Sequence, residues 1–427
     1  MNNQFFKVFT YNGFIVSGKL FTSFIVSKVS AIYLGPAGYA IVGNLKNILQ
    51  GVLGLTSSGF ESGVIRYTAE NKTDKKKLKL IISSVFALSI IISIVVGVLL
   101  FAFADKLGTY ILKDTSLAFI FKYLAMLLPL ISLNFLIIYV INGFQKFKLY
   151  TILISVANLL NAIITFLLIY FFSLKGALIA SILVPVLSFI SSLFFGEVRI
   201  LFFKMINNFK TISITFLKSI STYLAMAIYS TTLISLCYLS IRNNIIVQMD
   251  VESAGLWEAM NKISSFYMIF FSSLFTLYLL PLLASNKSIN GYVVIMNTYF
   301  KYLIPFIILL FLGIFFFRVF LIKLFLTKEF ELIEQFFYLQ LIGDFVKLIA
   351  FSLAYQFHAK KMVVSYFISD AVLYGSFYFA SVYLIKIYNL SGAFYAYIFS
   401  LILYLSTVIV SIYLTKHKYL IANVKEI

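Results

Sequence analysis

Between Lys28 and Glu70 the chain reads KVSAIYLGPAGYAIVGNLKNILQGVLGLTSSGFESGVIRYTAE, an apolar stretch carrying charges and amides at helical spacing. At roughly 100° per residue, Lys46, Asn47, Gln50, Gly54, Ser57 and Glu61 fall on Gly43's side of one predicted helix. Leu45, Ile48, Leu49, Val52 and Phe60 point elsewhere. Such a stripe is costly in hydrocarbon, so it implies a water-filled cavity or a protein interior on that side. The chemistry on offer is binding, with ammonium groups for anionic oxygens and amides, including Asn44, for hydroxyls. The sequence holds no phosphate-cradling Gly-Lys-Ser/Thr loop and no zinc-type His-Glu-x-x-His, which argues against ATP hydrolysis and metal-assisted cleavage.

The second half repeats the pattern. Glu258, Asn261, Lys262, Ser265, Ser272 and Thr276 share one side of a later helix, and Glu258 and Lys262 have the i, i+4 spacing of a pair. Gln340, Asp344, Lys347, Tyr355 and His358 form a further stripe. The first helix aligns Asn12, Lys19, Ser23, Ser27 and Ser30, and Lys28 stands on the opposite side of it from Lys19. Both lysines face polar surroundings only if that helix has protein on two sides; otherwise Lys28 snorkels outward.

The elements that must position these residues are membrane helices. The 427 residues are 62% hydrophobic and only 11% charged, with a mean hydropathy of +1.01, which excludes a soluble domain. Apolar runs predict about twelve spans, near 11–34, 39–63, 80–104, 117–144, 149–173, 177–203, 217–241, 256–283, 293–321, 332–357, 363–387 and 393–414. The net charge of +19 lies mostly in short connections, the signature of membrane orientation and not of a nucleic-acid partner.

With the N-terminus inside, the inner segments collect Lys7, Arg66, Lys72, Lys75, Lys76, Lys77, Lys79, Lys146, Lys148, Lys204, Lys210, Lys218, Lys287, Lys360, Lys361, Lys416, Lys418 and Lys425. The outer loops hold Lys106, Lys113, Lys175, Arg242, Lys323, Lys328 and Lys386. Both termini are therefore expected in the cytoplasm. The basic loop Tyr67–Lys79 suits orientation and contact with anionic membrane lipids. The longest outer connection is expected at Arg242–Gly255.

Two halves are also legible. Ala37-Gly38 and Asn44 recur with equal spacing as Ala254-Gly255 and Asn261. Leu174-Lys175-Gly176-Ala177 recurs as Leu390-Ser391-Gly392-Ala393. The predicted domains are an N-terminal six-helix lobe, 1–210, and a C-terminal one, 211–427, in a parallel repeat whose axis lies along the membrane normal. Gly59-x-x-x-Gly63 suits close helix packing, Pro129, Pro185 and Pro305 suit kinks, and Trp257 suits an interfacial anchor. His358 and His417 are expected at headgroup level. Cys237 stands alone, which leaves no intramolecular disulfide.

The stretches Leu34-Gly35-Pro36-Ala37-Gly38, Asn44-Leu45-Lys46 and Gly63 to Glu70 resemble the Wzx flippases of the MOP exporter superfamily. Their closest likeness is to the O-antigen and enterobacterial common antigen translocases. Glu252 to Ala259, followed by Lys262-Ile263-Ser264, is similar to a second-half signature of the same family. The resemblance implies an all-α, MATE-like fold of two six-helix bundles related by a pseudo-two-fold, rocking between inward- and outward-open states in a bacterial inner membrane. It implies an undecaprenyl-diphosphate-linked oligosaccharide as cargo, a polysaccharide polymerase and a chain-length regulator as further candidate partners, and no enzymatic step. It also favours a basic role for Lys28 beside Lys46.

On this reading Lys46, Lys262, Lys28, Lys19 and Arg318 are candidate diphosphate ligands. Asn44, Asn47, Gln50 and Asn261 are candidate sugar ligands. No cofactor is expected, and Glu61, Asp344 and Asp370 are candidate carriers for proton or sodium coupling. A multidrug or organic-cation antiporter would instead want unpaired carboxylates, against the intramembrane excess of Lys and Arg. A membrane polysaccharide polymerase would want a sizeable outer loop.

Overall fold

The computed structural model describes residues 2–207, 213–286, 288–360 and 362–422, and every described segment of regular structure is helical. Lys210, Lys287, Lys361 and Lys425, counted above as inner cations, lie outside the described residues. Among the described residues nine helices are long and apolar enough to cross a membrane. Two of these, Asn2–Thr56 and Phe147–Ser192, are each broken by one non-helical residue, Gly35 and Ser173. Contacts divide the chain into two units, Met1–Ser235 and Leu236–Ile427.

In the first unit, Asn2–Thr56 runs along Phe147–Ser192, and Lys75–Ala102 runs along Phe119–Gly143. The turn expected at Gly35-Pro36-Ala37-Gly38 is present. Gly35 has φ 60 and ψ −172, a conformation that only glycine adopts readily. Ser27 and Tyr39 clasp the turn, their hydroxyls 2.5 Å apart, while the Tyr39 hydroxyl also donates to the Ser27 carbonyl at 3.2 Å. Phe60, Val64, Val85, Leu136, Ile137, Leu153, Phe189 and Val198 belong to one buried apolar core of the unit.

In the second unit, Leu390–Ala422 packs along both Val363–Tyr388 and Phe337–Ala359. Its core gathers Phe271, Phe275, Leu279, Leu283, Met296, Ile307 and Leu348.

Local geometry recurs between the units as the sequence repeat leads one to expect. Lys146 and Met362 share a φ of −81, with ψ 62 and 69, and each starts a helix. Their backbone N–H groups donate to the equivalent carbonyls of Ile141 and Phe357. Ser173 and Asn389 both adopt positive φ, 48 and 52. In the turns that follow them, a Cβ on Gly176 would lie 1.8 Å from the Leu168 carbonyl oxygen, and one on Gly392 would lie 2.2 Å from that of Leu384. Only glycine tolerates that approach.

Several expectations are corrected. The span placed at 39–63 ends at Thr56, where Ser57 leaves helical geometry at φ −147 and ψ −57; a short 3-10 turn and the separate helix Glu61–Glu70 follow. The Ser89 hydroxyl donates to the Thr56 carbonyl and so satisfies the helix end from a neighbouring helix. The span placed at 177–203 also stops early, at Ser192, and a second helix, Gly196–Asn207, follows. The outer connection expected from Arg242 onward shrinks, because Ile214–Gln248 stays helical and Val251–Leu274 begins almost at once. Pro129, Pro185 and Pro305 each lie inside a helix, and the non-helical residues within long helices are Gly35 and Ser173.

Candidate functional site

In the first unit, the helix after Gly35 buries Leu45, Leu49 and Val52 and leaves Lys46 and Gln50 exposed, with Asn47 half-buried between them. This is the amphipathic split expected of these residues. Farther along, the stripe meets protein interior, one of the two surroundings its polarity implies. Gly54 and Ser57 are buried. Asn44 is fully buried, and its amide donates to the Ile111 carbonyl at 2.8 Å. That bond ties Asn44 to a neighbouring helix, so sugar hydroxyls do not have it to themselves.

The break at Ser57 ends the helical register that placed Glu61 on the stripe. Glu61 instead hydrogen-bonds Tyr139 and lies within electrostatic reach of Lys19, with Tyr150 close by. Two residues that the sequence assigned to different roles, Lys19 and Glu61, are thus neighbours. Lys19 is exposed and Lys28 half-buried.

In the second unit the most developed polar centre surrounds Asp344, a carboxylate with no solvent exposure. It accepts hydrogen bonds from Ser264 Oγ at 2.7 Å, Tyr397 Oη at 2.7 Å, Gln340 Nε2 at 3.1 Å and the Tyr267 hydroxyl. Lys347, one turn along the same helix, is electrostatically coupled to it, and its ammonium lies 5.6 Å from the Phe351 ring and 5.8 Å from the Tyr397 ring. Three helices thus place hydrogen-bonding side chains around one carboxyl group. Asp370 is also buried, in the electrostatic surroundings of Tyr374 and Tyr404.

Lys262 is half-buried with its ammonium 5.3 Å from the Phe266 ring. The Asn261 amide donates to the Trp257 carbonyl at 2.9 Å. Glu258 has a partner the spacing did not suggest. Glu258 pairs with Arg242, whose side chain has no exposure and whose guanidinium lies 5.5 Å from the Trp257 ring. Trp257 is therefore a core residue at 2% exposure and not an interfacial anchor, and Arg242 is a buried ion and not an outer-loop cation. Two helices meeting across a short connection put the guanidinium, the carboxylate and the indole together, and desolvation makes each depend on the others.

Arg318 is likewise committed. It pairs with Glu334 at 3.0 Å, donates to the Phe315 carbonyl at 2.9 Å, and stacks 4.4 Å from the Phe315 ring. Sequence reading missed Arg242, Ser264, Tyr267 and Tyr397. The usable signal was the i, i+3 pair Ser264–Tyr267, on the flank of the chosen stripe.

Residues 11–287 match the family described as "Polysaccharide biosynthesis protein". The chain is 22% identical to the lipid III flippase of Escherichia coli (strain K12) over 401 residues, covering 91% of this chain and 93% of that protein. The lipid III flippase of Shigella flexneri matches to the same extent. Among solved structures, an inward-facing multidrug resistance MATE family transporter of the MOP superfamily superposes with a TM-score of 0.75 at 15% identity, over 94% of each chain. The lipid II flippase MurJ, in an inward closed conformation, gives 0.70 at 17% identity, over 95% of this chain and 87% of that one. A multi-pass helical architecture with this fold, matched by a family profile over most of its length, identifies the chain as a member of the polysaccharide biosynthesis protein family, a family of membrane transporters and not of enzymes.

Proposed function

We propose that the protein is a flippase that moves an undecaprenyl-diphosphate-linked oligosaccharide, an O-antigen repeat or a related unit, from the cytoplasmic to the periplasmic leaflet of the inner membrane. Two six-helix bundles, 1–210 and 211–427, alternate access to a cationic path, with both termini cytoplasmic. The observation that carries this reading is the end-to-end likeness to proteins named lipid III flippases, over more than nine-tenths of each chain.

The physics supports it. A diphosphate and its sugars cannot enter hydrocarbon unaided, because stripping water from charges and hydroxyls is prohibitive unless other partners replace it. Lys46 and Lys262, with Lys28 and Lys19, supply ammonium groups for the diphosphate. Gln50, Asn47 and Asn261 supply amides for sugar hydroxyls. Asn44 and Arg318 are left out, since each is held within its own unit. Asp344 is the leading candidate for proton or sodium coupling because its carboxylate is the most enclosed of the three; Glu61 and Asp370 follow.

The test is genetic and biochemical together. In cells lacking the protein, lipid-linked oligosaccharide should accumulate on the cytoplasmic leaflet. Lys46→Ala with Lys262→Ala should abolish surface glycan while membrane levels of the protein stay normal. Undiminished display in the double variant would remove the cationic-path assignment.

A further inference from the structure

The segment Lys328–Phe336 forms a run of 3-10 turns nine residues long, leading into the helix Phe337–Ala359. Three residues per turn aligns positions i and i+3, so this segment sorts its side chains into rows. Phe330, Ile333 and Phe336 make the buried row. Glu331 and Glu334 make a second row. Leu332, Gln335 and Tyr338 make a third.

The two outer rows, together with Arg318 and Phe315 from the preceding helices, line an open cleft of about 520 Å³ within the second unit. The Arg318–Glu334 pair and the stacking of Arg318 on Phe315 fix one wall. Glu331 and Gln335, also lining the cleft, are exposed. Tyr338 is 48% exposed, hydrogen-bonds Tyr395, and extends an aromatic rim through Tyr395 to Tyr388, whose rings lie 5.4 Å apart.

We propose that this cleft is a glycan-docking subsite on the extracytoplasmic face, a proposal that rests on the transport reading above. Its chemistry is that of carbohydrate recognition. The exposed Glu331 carboxylate and Gln335 amide present acceptors and donors to neighbouring hydroxyls. Aromatic faces offer apolar surface to the C–H faces of sugar rings. The volume lies within the ordinary ligand-pocket range of ~300–1,000 Å³. A docking site for a basic peptide is disfavoured, because Arg318 already neutralises Glu334 and leaves Glu331 as the one uncompensated carboxylate among the lining side chains. The chain's expected orientation puts this end of Ile289–Phe316 outside, where a translocated head group would emerge.

The experiment uses the full-length protein in lipid nanodiscs. The probe is the water-soluble oligosaccharide released by mild acid from the source cell's own lipid-linked pool, free of diphosphate and lipid. Saturation-transfer NMR and calorimetry should detect binding to the wild type. Glu331→Gln, and separately Gln335→Ala with Tyr338→Ala, should weaken it by about tenfold or more, with thermal unfolding unchanged for Glu331→Gln.

In intact cells Glu331→Cys should react with a membrane-impermeant maleimide, whereas the native Cys237, which is buried, should not. Three results overturn the proposal: no binding of the released oligosaccharide to the wild type, unaltered binding in both variants, or labelling of Glu331→Cys only after lysis. Capture of a pentalysine peptide in its place, lost at high salt, also overturns it. The leaflet assay judges the transport reading separately. Oligosaccharide binding without translocation would keep the cleft and discard the flippase; translocation without oligosaccharide binding would discard the cleft alone.

Discussion

Arg242 and Asp344 are both fully buried ionisable side chains, and they are satisfied in different ways. Arg242 has a counter-ion, Glu258, and a ring to stack on. Removing one member of a buried pair strands the other without water, at a cost of about 3–5 kcal/mol. Arg242→Ala should therefore lower the detergent-solubilised unfolding temperature sharply, and Arg242→Met with Glu258→Leu should recover much of the loss. A single variant that unfolds like the wild type would show that the pair is not structural.

Asp344 is held by neutral donors, with Lys347 alongside. Asp344→Asn keeps its shape and one acceptor oxygen, so the fold should survive. Coupling to an ion gradient should not: gradient-driven translocation in proteoliposomes should fall to its undriven rate. A fully driven Asn variant would transfer the coupling role to Glu61 or Asp370.

The helix breaks are legible at some positions and hidden at others, and the difference lies in what causes them. Gly35 is written locally, by a Gly-Pro pair and a φ that other residues avoid. Gly35→Ala should destabilise by about 1–3 kcal/mol, read from thermal unfolding. Ser173 and Asn389 hold strained positive φ without being glycine. Ser173→Gly and Asn389→Gly should be neutral or stabilising by up to ~1 kcal/mol. Gly176→Ala and Gly392→Ala should both fail, because a backbone carbonyl stands where the methyl would go. The break after Thr56 has no such local mark, since it depends on a serine hydroxyl from another helix.

Helix starts follow local rules outside the membrane. Asp74 caps Lys75–Ala102 through the backbone N–H groups of Lys76 and Lys77, and these bonds hold its carboxyl below the usual carboxylate range. A depressed folded-state value means that this stabilisation is complete above the ordinary carboxylate range. It is lost only as the pH falls through the lowered value.

At the scale of the whole molecule, the apolar runs and the bias of basic residues make a testable map. Reporter fusions or cysteine labelling should find Lys72–Lys79 and Lys146–Lys148 on the cytoplasmic side and Lys106–Asp114 outside. The reverse map would invert the direction of every step proposed above, including the face on which the Arg318–Tyr338 cleft opens.

By itself the sequence determined the class of protein, most of its spans and the turn at Gly35. These follow from hydrophobic run length, backbone sterics and spacing, all properties of neighbours in the chain. It also selected Lys46 and Gln50, because a helix wheel suffices wherever the helix is unbroken. Only the tertiary structure decided that Asn44 belongs to Ile111, Glu258 to Arg242, Arg318 to Glu334, and Asp344 to four donors at once. The physical reason is desolvation. A polar group in a membrane protein must find a partner, and that partner can stand on any helix that packs against its own, at any distance along the chain.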